Sequence, residues 1–153
     1  DIDQFKLIND THGHLFGDEV IRKVGQAISA HYALRPNDLK ARFGGEEFVL
    51  LWYQVSGAHF GQLVERLLSA IRQLELPGSD TELVRITASA GALWLVPDSS
   101  RPAEAILNQA DQLLYQAKAG GRDRMELVIL GDPAATDVEP GDQPYTARPA
   151  AGL

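Results

Sequence analysis

The residues best suited to chemistry are carboxylates in two short stretches, Asp1-Ile2-Asp3 and Glu46-Glu47, the second placed directly after Gly44-Gly45. That second pair belongs to the run Arg42-Phe43-Gly44-Gly45-Glu46-Glu47-Phe48-Val49-Leu50-Leu51-Trp52. Glycine reaches backbone angles closed to other residues, so Gly44-Gly45 predicts a tight turn that a large ligand can approach closely. The apolar run behind it predicts a strand, on which neighbouring side chains point to opposite faces. Glu46 and Glu47 therefore need not share one task. Asp1 and Asp3 stand where a strand would end. If that strand lies beside the hairpin, two or three carboxylates converge at one rim of a sheet. Hard oxygens in that number suit Mg²⁺ or Mn²⁺, ions that keep open positions for phosphate oxygens.

Cations and base-reading groups accompany the carboxylates. Lys6, Lys118 and Arg122, together with a metal, could neutralise a triphosphate. Asn9 and Asp18 can bond the edge of a base. A carboxylate that accepts from N1–H and N2–H of guanine rejects adenine, which lacks both donors there. Each residue alone also has a plainer reading. Gly44-Gly45 could be only a hairpin turn, and Lys118 and Arg122 could complement a helix C-terminus. His14 is as well explained by bonds within its loop, and His12, His31 and His59 read as surface residues.

The elements that must position these groups follow from periodicity. A short helical turn is expected after Asp3, with Phe5 and Ile8 facing one way. Residues 13–18, with glycines at both Gly13 and Gly17, read as a loop. A helix is expected after it, carrying Val20, Val24, Ala27 and Ile28 on one stripe, with Asp18 and Glu19 in its first turn. It should stop before Arg35-Pro36, since proline disfavours a helical residue ahead of it. Leu39 to Trp52 reads as a hairpin folded at Gly44-Gly45. Phe60, Leu63, Val64, Leu67, Leu68 and Ile71 mark a second long helix. Pro77 to Asp80 reads as a turn, and Val84 to Trp94 as one long strand whose small residues suggest close packing by a helix. Ile106, Ala110, Leu113, Leu114 and Ala117 mark a third long helix, stopped at Gly120-Gly121. Met125 to Leu130 reads as a final strand.

Strands alternating with helices predict an α/β or α+β sandwich, with helices on a sheet. The chain has 153 residues, enough for one domain with a real core, and 44% of them are hydrophobic. A net charge of −7 argues against non-specific binding to nucleic acid. With no cysteine, disulfides and thiolate chemistry are excluded. Residues 131–153 are rich in Pro, Gly, Ala and Asp, which predicts a domain over 1–130 and a disordered tail. Asp1-Ile2-Asp3 looks like a strand end, so earlier residues of a longer protein are expected ahead of it.

In these blocks the chain resembles the GGDEF-family diguanylate cyclases, in the Gly-Gly-Glu-Glu-Phe variant. The resemblance rests on Asp1-Ile2-Asp3-Gln4-Phe5-Lys6-Leu7-Ile8-Asn9-Asp10, Gly13-His14, Gly17-Asp18 and Ala41-Arg42-Phe43-Gly44-Gly45-Glu46-Glu47-Phe48. It continues through Thr87-Ala88-Ser89-Ala90-Gly91, Ala110-Asp111, Tyr115, Ala117-Lys118 and Gly121-Arg122. A lone Gly-Gly-Glu-Glu-Phe would be weak evidence, whereas these blocks in family order are specific.

The resemblance implies a mainly antiparallel central sheet flanked by helices, like the palm domain of nucleotidyl cyclases and polymerases. It implies that two GTP are joined into cyclic di-GMP with release of two pyrophosphates, by two domains facing each other as half-sites. Asp1, the carbonyl of Ile2, and Glu46 resemble the ligands of Mg²⁺ or Mn²⁺, and Glu46 the proton acceptor. Glu47 resembles the supporting carboxylate, and Lys6 a candidate for stabilising the transition state. Asn9 and Asp18 resemble the guanine contacts, with His14 beside them, and Gly44 and Gly45 let phosphates approach. Lys118 and Arg122, with Lys6, resemble the phosphate-binding cations. Arg35-Pro36-Asn37-Asp38 resembles the Arg-x-x-Asp product-inhibition site, to which Arg66 adds a second arginine. An N-terminal sensor or regulatory domain and a cytoplasmic location, free or below a membrane anchor, are further implications. The family's upstream Asp-x-Leu-Thr-Gly-Leu-x-Asn-Arg segment has no counterpart here. An α-amino group at Asp1 would oppose the metal. Asp123, where asparagine is usual, is expected to matter little, and Ala90, where isoleucine is usual, to change packing only. Two other functions on the same fold are a non-catalytic cyclic di-GMP receptor and a dimerisation module.

Overall fold

The computed structural model describes residues 1–31, 37–78, 82–97 and 100–131. In chain order they form α1 (Phe5–His12), α2 (His14–His31), β1 (Leu39–Gly44), β2 (Glu47–Leu51), α3 (Gly57–Arg72), β3 (Leu76–Pro77), β4 (Leu83–Val84), β5 (Ala90–Leu95), α4 (Ala103–Ala119) and β6 (Met125–Leu130).

Three strand pairs and one bridge make the sheet layer. β1 pairs antiparallel with β2, β3 antiparallel with β4, and β5 parallel with β6. Asp1–Asp3 joins these ladders, through an antiparallel bridge between Ile2 and Ala88. The expected long strand over 84–94 is therefore divided. Its start pairs with β3, its middle with Asp1–Asp3, and its end with β6. Periodicity alone cannot see such a change of partner. The parallel β5–β6 pair needs a crossover connection, and α4 supplies it.

The main core lies between helices and the bridge. Val20, Val24 and Ile28 of α2 meet Leu63, Leu67, Leu68 and Ile71 of α3 over Ile2, Ile86 and Ala88. Ile2 is 1% exposed. Burying such a side chain stabilises the fold by about 1.5–3 kcal/mol, so the segment that carries Asp1 is anchored by its neighbour. Phe60 and Val64 of α3 continue the core onto Ala92 and Trp94 of β5. The opposite face of β5 takes α4. An ideal Cβ on Gly91 would lie 2.0 Å from the Ala110 carbonyl oxygen and 2.4 Å from the Leu114 nitrogen. The close helix packing expected from small residues is realised at that point.

α2 begins earlier than its sequence suggests. Only Gly13, at φ +86°, breaks the chain, and α2 starts at His14. Its first turn holds no acidic residue, so Asp18 and Glu19 are not dipole partners there. Glu19 instead pairs with Arg22 one turn on, and that bond holds its carboxyl below the usual range. Gly17 is helical because α1 lies against it. An added Cβ would lie 1.9 Å from Asn9 Oδ1 and 3.1 Å from Phe5 Cζ. This glycine serves close approach, not flexibility.

Candidate active site

The β1–β2 hairpin turns through Gly45 and Glu46, with Gly45 at φ +44°. The register shifts between Arg42 and Gly44, which leaves Phe43 unpaired and exposed. Arg42 fastens the turn by donating from Nε to the Gly45 carbonyl at 2.8 Å.

Asp1–Asp3 lies between this turn and residues 87–89. The Ile2 N–H donates to the Glu46 carbonyl at 3.3 Å. On the other side, the Asp3 N–H donates to the Thr87 carbonyl at 2.9 Å, and the Ser89 N–H to the Asp1 carbonyl at 2.9 Å. The bridge thus uses the Asp1 carbonyl and the Asp3 N–H. Backbone groups of one strand residue point to one edge, so the Ile2 carbonyl faces the edge where Glu46 lies. The two stretches singled out by their carboxylates are neighbours.

Charge gathers at this edge. The Asp1 side chain is 5% exposed and its Oδ2 lies 2.9 Å from Lys118 Nζ. Lys118 comes from the last turn of α4. The Asp1 amine donates to the Ser89 carbonyl at 3.1 Å. Burial pushes this amine below the ordinary α-amino range and Lys118 adds to that, while Asp3, Glu47 and Glu46 act in the opposite sense. The three carboxylates of Asp3, Glu46 and Glu47 are therefore close enough to be felt electrostatically at Asp1. Both Glu46 and Glu47 are half-buried.

Asp3 is committed to structure. Its carboxylate accepts from Ser89 Oγ at 2.6 Å, Thr87 Oγ1 at 2.7 Å and the Asp123 N–H at 3.0 Å. With Asp3 so engaged, the expected ligands at this edge are Asp1, the Ile2 carbonyl and Glu46, with the Glu47 carboxylate near them. Among the described residues no three His, Asp or Glu side chains cluster closely enough to hold a metal by themselves. Two carboxylates and a carbonyl fit an ion that takes its remaining oxygens from a phosphate and water.

The residues expected to read a base sit at the α1–α2 junction. Asn9 Oδ1 is buried without a partner, and it packs over Gly17, the residue before Asp18. A buried acceptor without a bond calls for an explanation, and a ligand's donor is one. His14 opens α2, and His14, Asp18 and Lys6 are exposed. Arg122 is exposed in the turn after α4, at φ +65°. None of these four side chains is bonded to the rim. Of the expected inhibition site, Arg35 lies outside the described residues. Asp38 Oδ1 accepts the Tyr53 N–H at 2.7 Å, and Arg66 is exposed on α3.

Asp123 has structural partners that its place in the sequence does not announce. Arg72 Nε donates to Asp123 Oδ1 at 2.6 Å and Arg72 Nη2 to the Asp123 carbonyl at 3.1 Å. Asp123 itself stands at φ +49°. The signal available in sequence was its type, since Asp and Asn accept left-handed backbones better than other side chains. The partner, on another helix, carried no local signal.

An α/β domain with an acidic rim beside a glycine turn is the class that this fold and edge define. The family model "Diguanylate cyclase, GGDEF domain" matches residues 1–124, and the chain belongs to that family. It is 43% identical over 127 residues to the diguanylate cyclase DgcP of Pseudomonas aeruginosa, covering 83% of this chain and 18% of DgcP. It is 37% identical over 129 residues to the diguanylate cyclase DosC of Escherichia coli, covering 83% of this chain and 27% of DosC. The chain thus spans under a third of these relatives' lengths. Among solved structures it resembles the GGDEF domain of DgcB from Caulobacter crescentus in complex with c-di-GMP. That match has a TM-score of 0.73 and 32% identity, over 84% of this chain and 73% of that one. It also resembles the active GGEEF domain of a diguanylate cyclase from Vibrio cholerae. There the TM-score is 0.67 and the identity 28%, over 86% of this chain and 80% of that one. No helix among the described residues is long and apolar enough to cross a membrane.

Proposed function

We propose that residues 1–130 are the catalytic domain of a diguanylate cyclase that joins two GTP into cyclic di-GMP and releases two pyrophosphates. Two domains face each other, each holding one GTP. The 3′-oxygen of one nucleotide bonds to the α-phosphorus of the other as the bond to pyrophosphate breaks. The reciprocal attack closes the ring. Docking the half-sites turns an encounter of two nucleotides into an oriented reaction.

Glu46 accepts the 3′-hydroxyl proton, and Glu47 supports it from across the turn. Asn9 and Asp18 hold the guanine edge, with His14 beside them. Gly44 and Gly45 let phosphate approach the backbone, and Lys6, Lys118 and Arg122 offset its charge. Asp1, the Ile2 carbonyl and Glu46 hold Mg²⁺ or Mn²⁺, which when bound offsets charge on the α-phosphate and the leaving pyrophosphate. Arg35 and Asp38, with Arg66, bind the product and inhibit. An upstream sensor domain and a cytoplasmic setting complete the reading; the tail expected after residue 131 lies outside the described residues.

The observation that carries this reading is the bond from the Ile2 N–H to the Glu46 carbonyl, which sets Asp1 beside the signature turn. The test is to incubate the full-length protein with GTP and Mg²⁺ and to quantify cyclic di-GMP and pyrophosphate. Glu46→Gln should keep the fold and lower kcat by about 10²–10⁴-fold. A dimer that binds GTP yet forms no cyclic di-GMP overturns the reading.

A further inference from the structure

Two successive non-glycine residues after α4, Arg122 and Asp123, have left-handed backbones, at φ +65° and +49°. Such a conformation is costly for arginine and persists only where the surroundings impose it. Here the bonds that impose it come from distant parts of the chain. The Asp123 N–H donates to Asp3 Oδ2 at 3.0 Å. Arg72, the last residue of α3, grips the Asp123 carboxylate at 2.6 Å and the Asp123 carbonyl at 3.1 Å. Arg72 Nη1 also donates to Glu65 Oε1 at 2.8 Å, two turns back on its own helix, which fixes the plane of the guanidinium. The Arg122 N–H closes onto the Ala117 carbonyl at 3.0 Å. The Arg122 side chain is exposed and bonds nothing among the described residues, so the turn alone sets where it starts.

We propose that Arg72 and Asp3, acting through Asp123, are positioning residues for Arg122, and that they set this domain's grip on a nucleotide's phosphates. The proposal rests on the function proposed above for assigning Arg122 to phosphate. The geometry explains the economy of the arrangement. Arg72 and Asp123 are 32% and 42% exposed in their side chains. Pairs exposed to that degree add little to stability. The two-residue turn is nonetheless held from three directions, Asp123 by Arg72 of α3 and by Asp3, and Arg122 by the end of α4. A wrong backbone angle at residue 122 would swing a long side chain away from its target.

The test measures the affinity of the full-length protein for GTP and for guanosine, which has no phosphates. Arg72→Ala should weaken GTP about three- to tenfold, the loss of part of a charge-assisted contact, and leave guanosine within about twofold. Asp123→Asn keeps both the acceptor and the tolerance of a left-handed backbone, so it should bind GTP like the unsubstituted protein. Asp123→Ala should follow Arg72→Ala. The Arg72→Ala, Arg122→Ala double variant should be no weaker than Arg122→Ala alone, because residues acting through one group are not additive. Equal GTP affinity in Arg72→Ala, equal losses for GTP and guanosine, or additive losses in the double variant would each overturn the proposal. If the unsubstituted protein fails to bind GTP, the proposed function falls and this inference with it.

Discussion

Lys118 Nζ stands 2.9 Å from Asp1 Oδ2, a cation held against a carboxylate whose side chain is 5% exposed. The pair joins the end of α4 to the segment beside the glycine turn. A buried carboxylate without a partner costs free energy, so in metal-free protein Lys118 is stabilising. A divalent ion at Asp1 would take over that role and release Lys118 towards phosphate. Lys118→Met should therefore destabilise the metal-free protein by about 1–3 kcal/mol. Mg²⁺ should recover much of that loss, because a ligand bound only to the folded state stabilises it. Melting curves with and without Mg²⁺ check this. An equal deficit in both would show that Asp1 does not exchange Lys118 for a metal.

Gly91 predicts a severe effect of a single methyl group. The nearest atoms to an added Cβ are backbone atoms of α4, at 2.0 and 2.4 Å, and neither can turn aside as a side chain could. α4 must move off β5, and with it Lys118 and the turn that carries Arg122. Gly91→Ala should cost about 3 kcal/mol or more, at the upper end for overpacking. Urea unfolding measures the cost. A change under about 1 kcal/mol would mean that α4 is not seated tightly against β5 at this point.

Much of this arrangement was legible in the residues. Gly44-Gly45 before an apolar run gives the hairpin, and Ala88 to Ala92 announce a helix close to a strand. The acidic rim followed once those elements were neighbours. What was not legible has a common cause, which is that its partners are remote. Gly17 looks like a loop residue until Asn9 is placed over it. The run from Val84 to Trp94 looks like one strand until three successive partners divide it. Asp3 looks like a free ligand, yet its donors come from residues 87, 89 and 123. Arg72 and Asp123 are joined across 51 positions of chain, with nothing local to mark Arg72 as the partner.

Variants at Asp38 should separate the proposed product recognition from scaffold. Its Oδ1 accepts the Tyr53 N–H at 2.7 Å, a bond that closes the base of the hairpin. Asn keeps one acceptor for that N–H but removes the charge and the second acceptor that a guanine edge requires. Asp38→Asn should keep the melting temperature while cyclic di-GMP binds about tenfold more weakly. That factor corresponds to about 1.4 kcal/mol, the worth of one hydrogen bond to a charged group. Asp38→Ala should lose both the affinity and about 1 kcal/mol of stability. Calorimetric titration with cyclic di-GMP, beside thermal melts, distinguishes them. Undiminished binding by Asp38→Asn would remove Asp38 from the inhibition site.

Gly17 and Asn9 give the sharpest test of the base-reading end. An added Cβ at residue 17 meets Asn9 Oδ1 at 1.9 Å, so the Asn9 amide must rotate away. That amide is the tip of a side chain, and alanine is favoured over glycine within a helix by about 1 kcal/mol. The clash and the gain oppose each other, and the net change in stability should be small. Recognition should not be spared. Asn9 Oδ1 is buried without a partner, and under the proposed function the base supplies the missing donor. A site built to bond a polar edge loses strongly when its own group is displaced. Gly17→Ala should thus weaken GTP about tenfold or more while the protein melts within a few degrees of the unsubstituted one. Affinity unchanged in a folded Gly17→Ala variant would show that Asn9 does not read the base, and would leave Asp18 to do so alone.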